Sequence, residues 1–491
     1  MKKIFTSFLV AAMALTMNAQ VISSPTDVEG VSVGLTAETM SPNALYVVGL
    51  DENSGNPTLW KTATGEIAEL SESTTVFYYE YTYGQKDEWQ YQYDWETWEI
   101  IDSVLVQVDD YDNKLDSTLM SYEAAFTGSF LDVNDLGMIV GEYGIEGNAV
   151  AILANASDIQ DYTMLAAGES ETEASSAYAI SADGSVIAGF YYDAVDFANS
   201  AVKACIWTEG GSVRTDLPWP TNEEIGVEIE GTEARWISAD GKIIGGFAQT
   251  FAFGDWILLF WELQEDGTYK PNTLVSQYYT ENYDPALANK YMKFEPQGFS
   301  SNGEWATLMI QEQFDMFDWD AVWPDPQAAR LNLKTGVMEV LTLEADPDSF
   351  FAPDAPTLYS VADNGTAVGF TGGMMTVRKG FVWPAGSSSL VAVKDIFTNE
   401  KYFDYTEMDG EESLSYITPD AKKVLGMNHR IVDEEWLTSS FIAELPETLA
   451  IENVGSAKAE VPAVCYDLMG NRVDALRSGF MIVGGKKVLV K

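Results

Sequence analysis

The residues of this chain that stand out for their chemistry are aromatic side chains at alternate positions between residues 72 and 122. Two runs share this alternation, at Phe77, Tyr79, Tyr81 and Tyr83 and at Trp89, Tyr91, Tyr93 and Trp95. Alternation with period two places the rings of a β-strand on one face. Flat rings beside amides and carboxylates suit stacking on sugars or anchoring of a protein partner. The candidate ligand-binding residues are therefore Tyr79, Tyr81, Trp89, Tyr91, Tyr93 and Trp95.

The residues between the two runs, 84–88, predict a turn, so that segment 72–122 is expected to form a β-hairpin with an aromatic ladder. Two other interpretations stay open: the aromatic face packs on the side of the domain, or the segment is a degenerate extra repeat. An open face would expose a larger apolar patch than soluble monomers usually tolerate. We therefore expect the face to be partly accessible and to contact a ligand or a partner chain.

No catalytic residue and no metal ligand is predicted with any specificity. The single histidine, His429, is expected in a surface loop, and Gly-x-Ser-x-Gly and His-Glu-x-x-His sequences are absent. With 76 acidic residues in the chain, some carboxylate pair with glycosidase spacing is expected by chance, so no single pair is informative. The best cation candidate is a calcium site at Asp315, Asp318 and Asp320, for which a charged loop is the simpler interpretation.

An internal repeat predicts the elements that position these residues. Seven segments share an apolar pair, a turn of the Ser/Thr/Asn-x-Asp/Asn-Gly type and a short β-run that usually ends in Gly. The turn positions are Ala44, Gly137, Gly184, Gly241, Gly303, Gly365 and Ala421. Asp-Gly and Asn-Gly supply the positive φ of a tight hairpin turn, so each copy is predicted to be a hairpin.

Further strands complete each repeat. In four repeats a third strand ends in a tryptophan that is expected to be buried between repeats, at Trp60, Trp207, Trp261 and Trp383. The third strand of the fifth repeat is expected at Val322-Trp323 or at Arg330–Leu333. Four short strands in each of several successive repeats are typical of propeller blades. We predict an all-β fold with almost no helix, a seven-bladed propeller over residues 21–445, or an eight-bladed one if segment 72–122 is a blade. Residues 21–33 are expected to supply the fourth strand of the last blade.

The third repeat resembles a known family. Its sequences at Ala179–Gly184, Val186–Gly189 and Ala204–Trp207 resemble the HAF repeats of extracellular bacterial proteins. That resemblance implies a propeller and says little about activity. Cys205 lies within it and, like Cys465, is expected to be a small buried hydrophobe.

The N-terminus and the net charge concern location and partners. Residues 1–19 combine two lysines, an apolar stretch and a small-residue site near Ala19, which predicts a secretory signal peptide. No later segment is long and apolar enough for a transmembrane helix, so no integral membrane segment is expected in the mature chain. The net charge of −49 disfavours nucleic acid as a partner.

Residues 450–491 are predicted to form a small separate β-domain. Six bases and three acids lie in residues 457–491, a net charge of +3 in an otherwise acidic chain. The segment resembles the C-terminal sorting domain of type IX secretion cargo, with matching positions at Tyr466, Asp467, Leu468, Gly470, Gly479, Gly485, Lys486 and Lys487. The resemblance implies recognition by the secretion machinery and a cell-surface or extracellular location. The alternative is a terminal β-hairpin that packs on the propeller.

The sequence thus predicts a secreted or cell-surface β-propeller that acts as a binding module for a glycan or a protein partner. It predicts neither enzyme activity nor a cofactor. Two alternatives stay open: a polysaccharide-directed hydrolase that uses carboxylates at the propeller channel, and a structural envelope protein.

Overall fold

The structure is a computed structural model in which nearly all secondary structure is β. It describes residues 21–23, 34–93, 100–145, 148–167, 174–193, 201–220, 229–250, 256–273, 291–312, 326–341, 343, 356–372, 377–397, 410–432, 435–446, 465–467, 472–473, 479–483 and 486–490. Within these residues, helix is confined to α1 (Val393–Ile396) and a three-residue 3-10 turn at Glu209–Gly211. The signal peptide predicted at 1–19 lies outside them.

Three blades and a long hairpin make up the first half of the chain. The first strand is β1 (Val21–Ser23). Blade 1 contains β2 (Leu35–Met40), β3 (Tyr46–Asp51), β4 (Pro57–Lys61) and β5 (Glu66–Glu69). The hairpin consists of β6 (Ser73–Tyr93) and β7 (Ile100–Ala125). Blade 2 contains β8 (Thr127–Val133), β9 (Met138–Ile145), β10 (Asn148–Asn155) and β11 (Asp158–Met164). Blade 3 contains β12 (Ser175–Ile180), β13 (Ile187–Asp193), β14 (Ala201–Thr208) and β15 (Val213–Asp216).

Four more blades follow. Blade 4 contains β16 (Ile229–Ile237), β17 (Ile243–Thr250), β18 (Trp256–Leu263) and β19 (Tyr269–Thr273). Blade 5 contains β20 (Tyr291–Phe299), β21 (Trp305–Glu312), β22 (Gln327–Asn332) and β23 (Val337–Leu341). Blade 6 contains β24 (Thr357–Val361), β25 (Ala367–Thr371), β26 (Lys379–Trp383) and β27 (Val391–Ala392). Blade 7 contains β28 (Gly410–Ile417), β29 (Lys423–Val432) and β30 (Glu435–Glu444).

The strands of each blade are antiparallel and lie in sequence order, and β1 is the fourth strand of blade 7. Val21 pairs with Ala443 and Ser23 with Ile442, so the N-terminal segment completes the last blade, as the sequence suggests. One parallel pairing, Ile257 with Phe294, also joins blades 4 and 5. The predicted seven-bladed, all-β propeller is therefore confirmed.

The turns of the repeat lie on one side of the ring. All seven predicted turn residues have a positive φ, between 58° and 87°. Neighbouring turns contact each other, because the backbone N–H of Ala182 donates to Ala239 and that of Ala239 donates to Ser301. The N–H of Asp363 likewise donates to the carbonyl of Pro419.

Side-chain hydrogen bonds explain the residue types of the turn. In blade 3 the hydroxyl of Ser181 donates to the carboxylate of Asp183 at 2.8 Å and accepts the N–H of Val186 at 3.1 Å. Asp183 also accepts the N–H of Ser185 at 3.0 Å. These local bonds replace ladder bonds at the turn, which is why Ser, Thr, Asp and Asn recur there.

A β-bulge in the first strand of every blade explains the glycine at the end of the repeat. The pairing register skips one residue in each first strand, at Glu38, Leu131, Tyr178, Arg235, Gln297, Tyr359 and Ser415. Six blades carry glycine in the second strand opposite the residue before the bulge, and the fifth carries Leu308. A Cβ at Gly369 would overlap the carbonyl oxygen of Thr357, which explains the glycine that ends most of the repeats.

The hydrophobic core lies between adjacent blades. The four repeat tryptophans, at most 1% exposed, confirm the prediction of burial for Trp60, Trp207, Trp261 and Trp383. Pairing places Ala154, Leu331 and Ala443 at the equivalent third-strand position of the other blades. Cys205 is buried, as expected.

Blade 5 uses a charge where other blades use apolar residues. Its third strand is β22, which contains Arg330, and the alternative at Val322-Trp323 lies outside the described residues. The Arg330 guanidinium, fully buried, lies 4.0 Å from the centre of the Trp383 ring and donates to the carbonyl of Gly365 at 2.7 Å. It also pairs with Glu339. Arg330 therefore links blade 5 to blade 6.

The tail forms a sheet of its own. Its strands are β31 (Cys465–Asp467), β32 (Arg472–Val473), β33 (Gly479–Val483) and β34 (Lys486–Val490), in the order β32-β31-β33-β34. Among the described residues these strands pair with no strand of the propeller. Of the sorting positions, Tyr466, Asp467, Gly479, Lys486 and Lys487 lie on these strands; Leu468, Gly470 and Gly485 lie outside the described residues.

The bulge of blade 6 and the turn of blade 7 make opposite predictions for substitution. Gly369→Ala is expected to lower the free energy of unfolding by about 2–4 kcal/mol, because a Cβ there meets backbone rather than a movable side chain. Ala421→Gly is the control with the opposite sign: at a φ of 58° it should raise stability by up to about 1 kcal/mol. Chemical denaturation measures both, and an unchanged Gly369→Ala variant would contradict the role of the bulge.

Candidate functional site

The hairpin is longer and straighter than the sequence predicts. β6 and β7 pair from Ser73 opposite Ala125 to Tyr93 opposite Ile100. The turn predicted at residues 84–88 is wrong, because these residues continue β6, and the chain reverses between residues 93 and 100. With a rise of about 3.3 Å per residue, the 21 residues of β6 make a ribbon roughly 70 Å long.

Gly84, the first residue of the predicted turn, lies beside a bulge in β7 instead. Tyr83 lies opposite Lys114 and Gly84 opposite Asp110, so the intervening residues of β7 have no partner on β6. A Cβ at Gly84 would collide with the side chain of Asn113. Gly84 thus leaves room for the Asn113 side chain where the extra residues of β7 lie beside it.

The hairpin is not a blade. Among the described residues, β6 and β7 pair only with each other and form a two-stranded sheet between blades 1 and 2. The eight-bladed alternative is therefore wrong. At its base the hairpin is tied down by Glu72, whose carbonyl accepts the N–H of Phe126 and whose carboxylate accepts the hydroxyl of Tyr162.

The odd-numbered aromatic residues of β6 share one face of the ribbon, here called the aromatic face. Its described rings are Phe77, Tyr79, Tyr81, Tyr83, Trp89 and Tyr91. Directly opposed residues share a face, so Leu119 and Leu105 of β7 join it opposite Tyr79 and Trp89. The two aromatic runs follow each other along one strand, whereas the sequence analysis places them on two paired strands.

The aromatic face is accessible. Exposed fractions are 58% for Tyr79, 39% for Tyr81, 52% for Trp89 and 49% for Tyr91. The interpretation in which this face packs on the propeller is therefore wrong for these rings. Tyr93 lies in β6, but its side chain and the whole of Trp95 lie outside the described part of the structure.

The opposite face also carries apolar groups. Tyr78 and Tyr122 lie there with ring centres 5.9 Å apart, and they are 45% and 39% exposed. The acids Glu80 and Glu88 share this face and are exposed. The opposite face is therefore mixed, with exposed rings beside acids.

The hairpin is strongly acidic. Residues 73–125 contain 12 acids and two bases, a net charge of −10. On the aromatic face the exposed acids are Asp87, Asp109 and Glu123, and the described base is Lys114. The ammonium of Lys114 lies 4.0 Å from the centre of the Tyr81 ring, a cation–π contact.

The central channel is the second candidate site. On the turn side it opens into a cavity of about 220 Å³ that residues of all seven blades line. Six of the seven bulged residues reach it: Glu38, Leu131, Tyr178, Arg235, Tyr359 and Ser415. The bulges thus determine which side chains line the cavity.

Charged residues of blades 1 and 4 lie at the channel. Arg235 pairs with Glu233 at 2.7 Å, and its guanidinium lies 4.2 Å from the centre of the Tyr178 ring. Enclosure raises the pKa of the Glu38 carboxyl, and the charge of Arg235 opposes that rise. Glu38 nevertheless has an exposed side chain, because it faces the open space of the cavity.

Asp132 joins blades 2 and 3 at the cavity wall. Its carboxylate accepts the N–H of Ile180 at 2.9 Å and that of Val133 at 2.8 Å. Burial raises the pKa of Asp132 to about 6, and these two hydrogen bonds oppose the rise. Burial also raises the pKa of the neighbouring Tyr416 phenol.

Other sequence candidates stand as follows. His429 lies half-buried on β29 with its Nδ1 2.9 Å from the hydroxyl of Thr438, so the surface-loop prediction is wrong. In the part of the chain that the structure describes, no three His, Cys, Asp or Glu residues are grouped to hold a metal ion. Asp315, Asp318 and Asp320 lie outside that part. The described helices include none that is long and apolar enough to cross a membrane.

Comparisons with known proteins add likenesses of fold. No protein-family model matches the chain, and no curated protein matches it. The chain is similar to a solved prolyl endopeptidase at 7% identity and a TM-score of 0.43, over 89% of this chain and 52% of that chain. It is similar to prolyl oligopeptidase B from Galerina marginata at 12% and 0.40, over 83% and 48%. The β-propeller domain of the Trilobed protease from Pyrococcus furiosus matches at 9% and 0.35, over 72% and 94%. The chain spans about half the length of the two prolyl peptidases, and likenesses this distant carry no argument about activity.

The environment of Asp132 predicts a pH-dependent stability. Between pH 4 and pH 6 the unfolded chain ionises this carboxyl while the folded chain keeps it protonated, so stability falls as pH rises through that window. Asp132→Asn has no such titration, and its stability relative to the wild type should increase by about 2–3 kcal/mol from pH 4 to pH 7. Chemical denaturation across this range measures the difference, and parallel curves for the two proteins would contradict the prediction.

Proposed function

We propose that this chain is an exported β-propeller that acts as a binding module through the aromatic face of its hairpin. The observation that carries the proposal is the exposure of Tyr79, Trp89 and Tyr91, each about half accessible on a ribbon that projects from the propeller. Large exposed apolar patches on soluble proteins mark interaction sites. Aromatic side chains are also the residues that most often dominate binding energy.

The ribbon and the propeller have complementary roles in this proposal. An isolated two-stranded hairpin is marginally stable in water. Here its base is held by hydrogen bonds of Glu72 to blade 2 and by buried Ala124. The propeller therefore supplies the rigid support, and the hairpin supplies the contact surface.

Export is supported by sequence features at both ends. The apolar leader at 1–19 favours secretion, and the tail from residue 450 resembles a sorting domain of type IX secretion cargo. The separate sheet β31–β34 is compatible with a detachable module. We infer a cell-surface or extracellular location, reached through the secretion machinery.

The channel favours a second candidate function, hydrolysis of a polysaccharide. Glycosidases use one carboxyl group whose raised pKa keeps it protonated and a second carboxylate. Glu38 and Asp132 both line the cavity, and enclosure raises the pKa of each.

Alanine substitutions on the aromatic face test the binding module. The Trp89→Ala/Tyr91→Ala variant should lose at least about 30-fold in affinity for its partner, because loss of even one anchoring ring costs about 2 kcal/mol or more. Its melting temperature should stay within a few degrees of the wild type, since both rings are about half exposed. Binding is measured on arrays of glycans and peptides.

The matched control is Tyr78→Ala/Tyr122→Ala, which removes two exposed rings from the opposite face. It should leave binding unchanged. A large loss of stability in the Trp89→Ala/Tyr91→Ala variant with unaltered binding would show that its rings are structural. If the protein hydrolyses a bound glycan and Glu38→Gln abolishes that hydrolysis, the hydrolase is supported instead.

The tail generates a prediction about export. A chain truncated after Leu449 should fold, because the tail strands pair with no described propeller strand, yet remain in the periplasm. Immunoblots of the medium, surface and periplasmic fractions measure this, with the full-length wild-type chain as the exported reference. Truncated protein in the medium would mean that the tail is not a sorting signal.

A further inference from the structure

We propose that the aromatic face binds an extended, basic protein segment that carries lysine or arginine at alternate positions. This inference rests on the proposed function and specifies its partner class. Three features of the described hairpin lead to it: its charge, the contact of Lys114, and the spacing of its rings along an open strand edge.

The charge of the hairpin selects a cationic partner. Its net charge of −10 and the exposed carboxylates Asp87, Asp109 and Glu123 on the aromatic face attract positive groups. A second copy of the chain, with a net charge of −49, is repelled, and so is an acidic glycan. A neutral glycan gains nothing from these charges.

Lys114 shows how a cation binds this face. Its ammonium lies 4.0 Å from the centre of the Tyr81 ring, within the distance at which ammonium–ring attraction is significant. Among the described residues of the face, Tyr81 is the only ring with such a contact. Tyr79, Trp89 and Tyr91 present rings of the same class to solvent, about half exposed.

The spacing of the rings matches that of an extended partner. Ring centres are 6.4 Å apart from Tyr79 to Tyr81 and 6.3 Å apart from Tyr81 to Tyr83. In a β-strand, every second side chain points to one face at intervals of roughly 6.6 Å. A strand with a cation at alternate positions therefore carries its cations at the spacing of the rings. Over Tyr81 that position is already taken by Lys114.

The ribbon also offers a backbone template. In the described residues β6 pairs with β7 alone, so its other edge carries N–H and C=O groups without a strand partner. Extended peptides add to such edges through main-chain hydrogen bonds, while side-chain contacts supply specificity. A segment added beside β6 has its alternate side chains on the aromatic face.

Synthetic peptides test the inference with the full-length mature protein. The probe is a capped peptide in which five lysines alternate with five threonines. One control replaces every lysine of the probe by glutamate, and the other has the composition of the probe but places all its lysines before all its threonines. Isothermal titration should show binding of the alternating lysine peptide at least about tenfold tighter than that of either control. Raising NaCl from 0.05 to 0.5 M should weaken it by about tenfold or more, because salt screens the exposed charges.

Variants identify the site. Tyr79→Ala and Asp87→Asn should each weaken binding of the lysine peptide severalfold, whereas Tyr78→Ala on the opposite face should not. Equal binding of the lysine and glutamate peptides, or of the alternating and block peptides, overturns the inference. The inference is also overturned if a neutral oligosaccharide binds independently of salt and Trp89→Ala/Tyr91→Ala abolishes that binding. The proposed binding module would then stand. If the probes bind and no substitution on the aromatic face alters that binding, both the inference and the proposed function are overturned.

Discussion

The structure depends on a close approach of two backbones in each blade. The first strand bulges by one residue, and the second strand passes it so closely that six of seven blades have room only for glycine. In six blades the bulged residue of the first strand reaches the channel cavity, among them Glu38, Tyr178 and Arg235. A single backbone constraint, repeated around the ring, thereby sets both the glycine of the repeat and the chemistry of the channel.

The hairpin departs from that constraint. It belongs to no blade, and among the described residues its strands pair only with each other. A chain that exposes eight aromatic residues of one ribbon to water is prone to association, and the net charge of −10 counteracts this by repulsion between copies. Acidity and aromatic exposure are therefore complementary features of one surface.

The sequence predicts the structure where local residue patterns repeat. It does not predict features that depend on which strands pair and in which register. Asp-Gly and Asn-Gly turns and the buried tryptophans carry local signals, so blade number and strand order follow from them. Gly84 misleads because the same residue type marks a turn or a bulge, and only the register with Lys114 and Asp110 distinguishes the two. The channel lining was missed because a bulge has no side-chain signature, and the ring brings Glu38 of blade 1 near Arg235 of blade 4. The one sequence signal for the bulges was the glycine that lies opposite them, Gly49 and its equivalents.

The pairing of β1 with blade 7 has a consequence for the order of folding. Val21 meets Ala443, residues separated by 422 positions, and closing so long a loop costs ~5 kcal/mol of chain entropy before any contact compensates. Blades form from neighbouring segments and so acquire their contacts early, whereas the final clasp must wait for the last strand of the propeller to arrive. Until the last strand of the propeller has been synthesised, the molecule is consequently an unclosed arc, and ring closure is its last folding step.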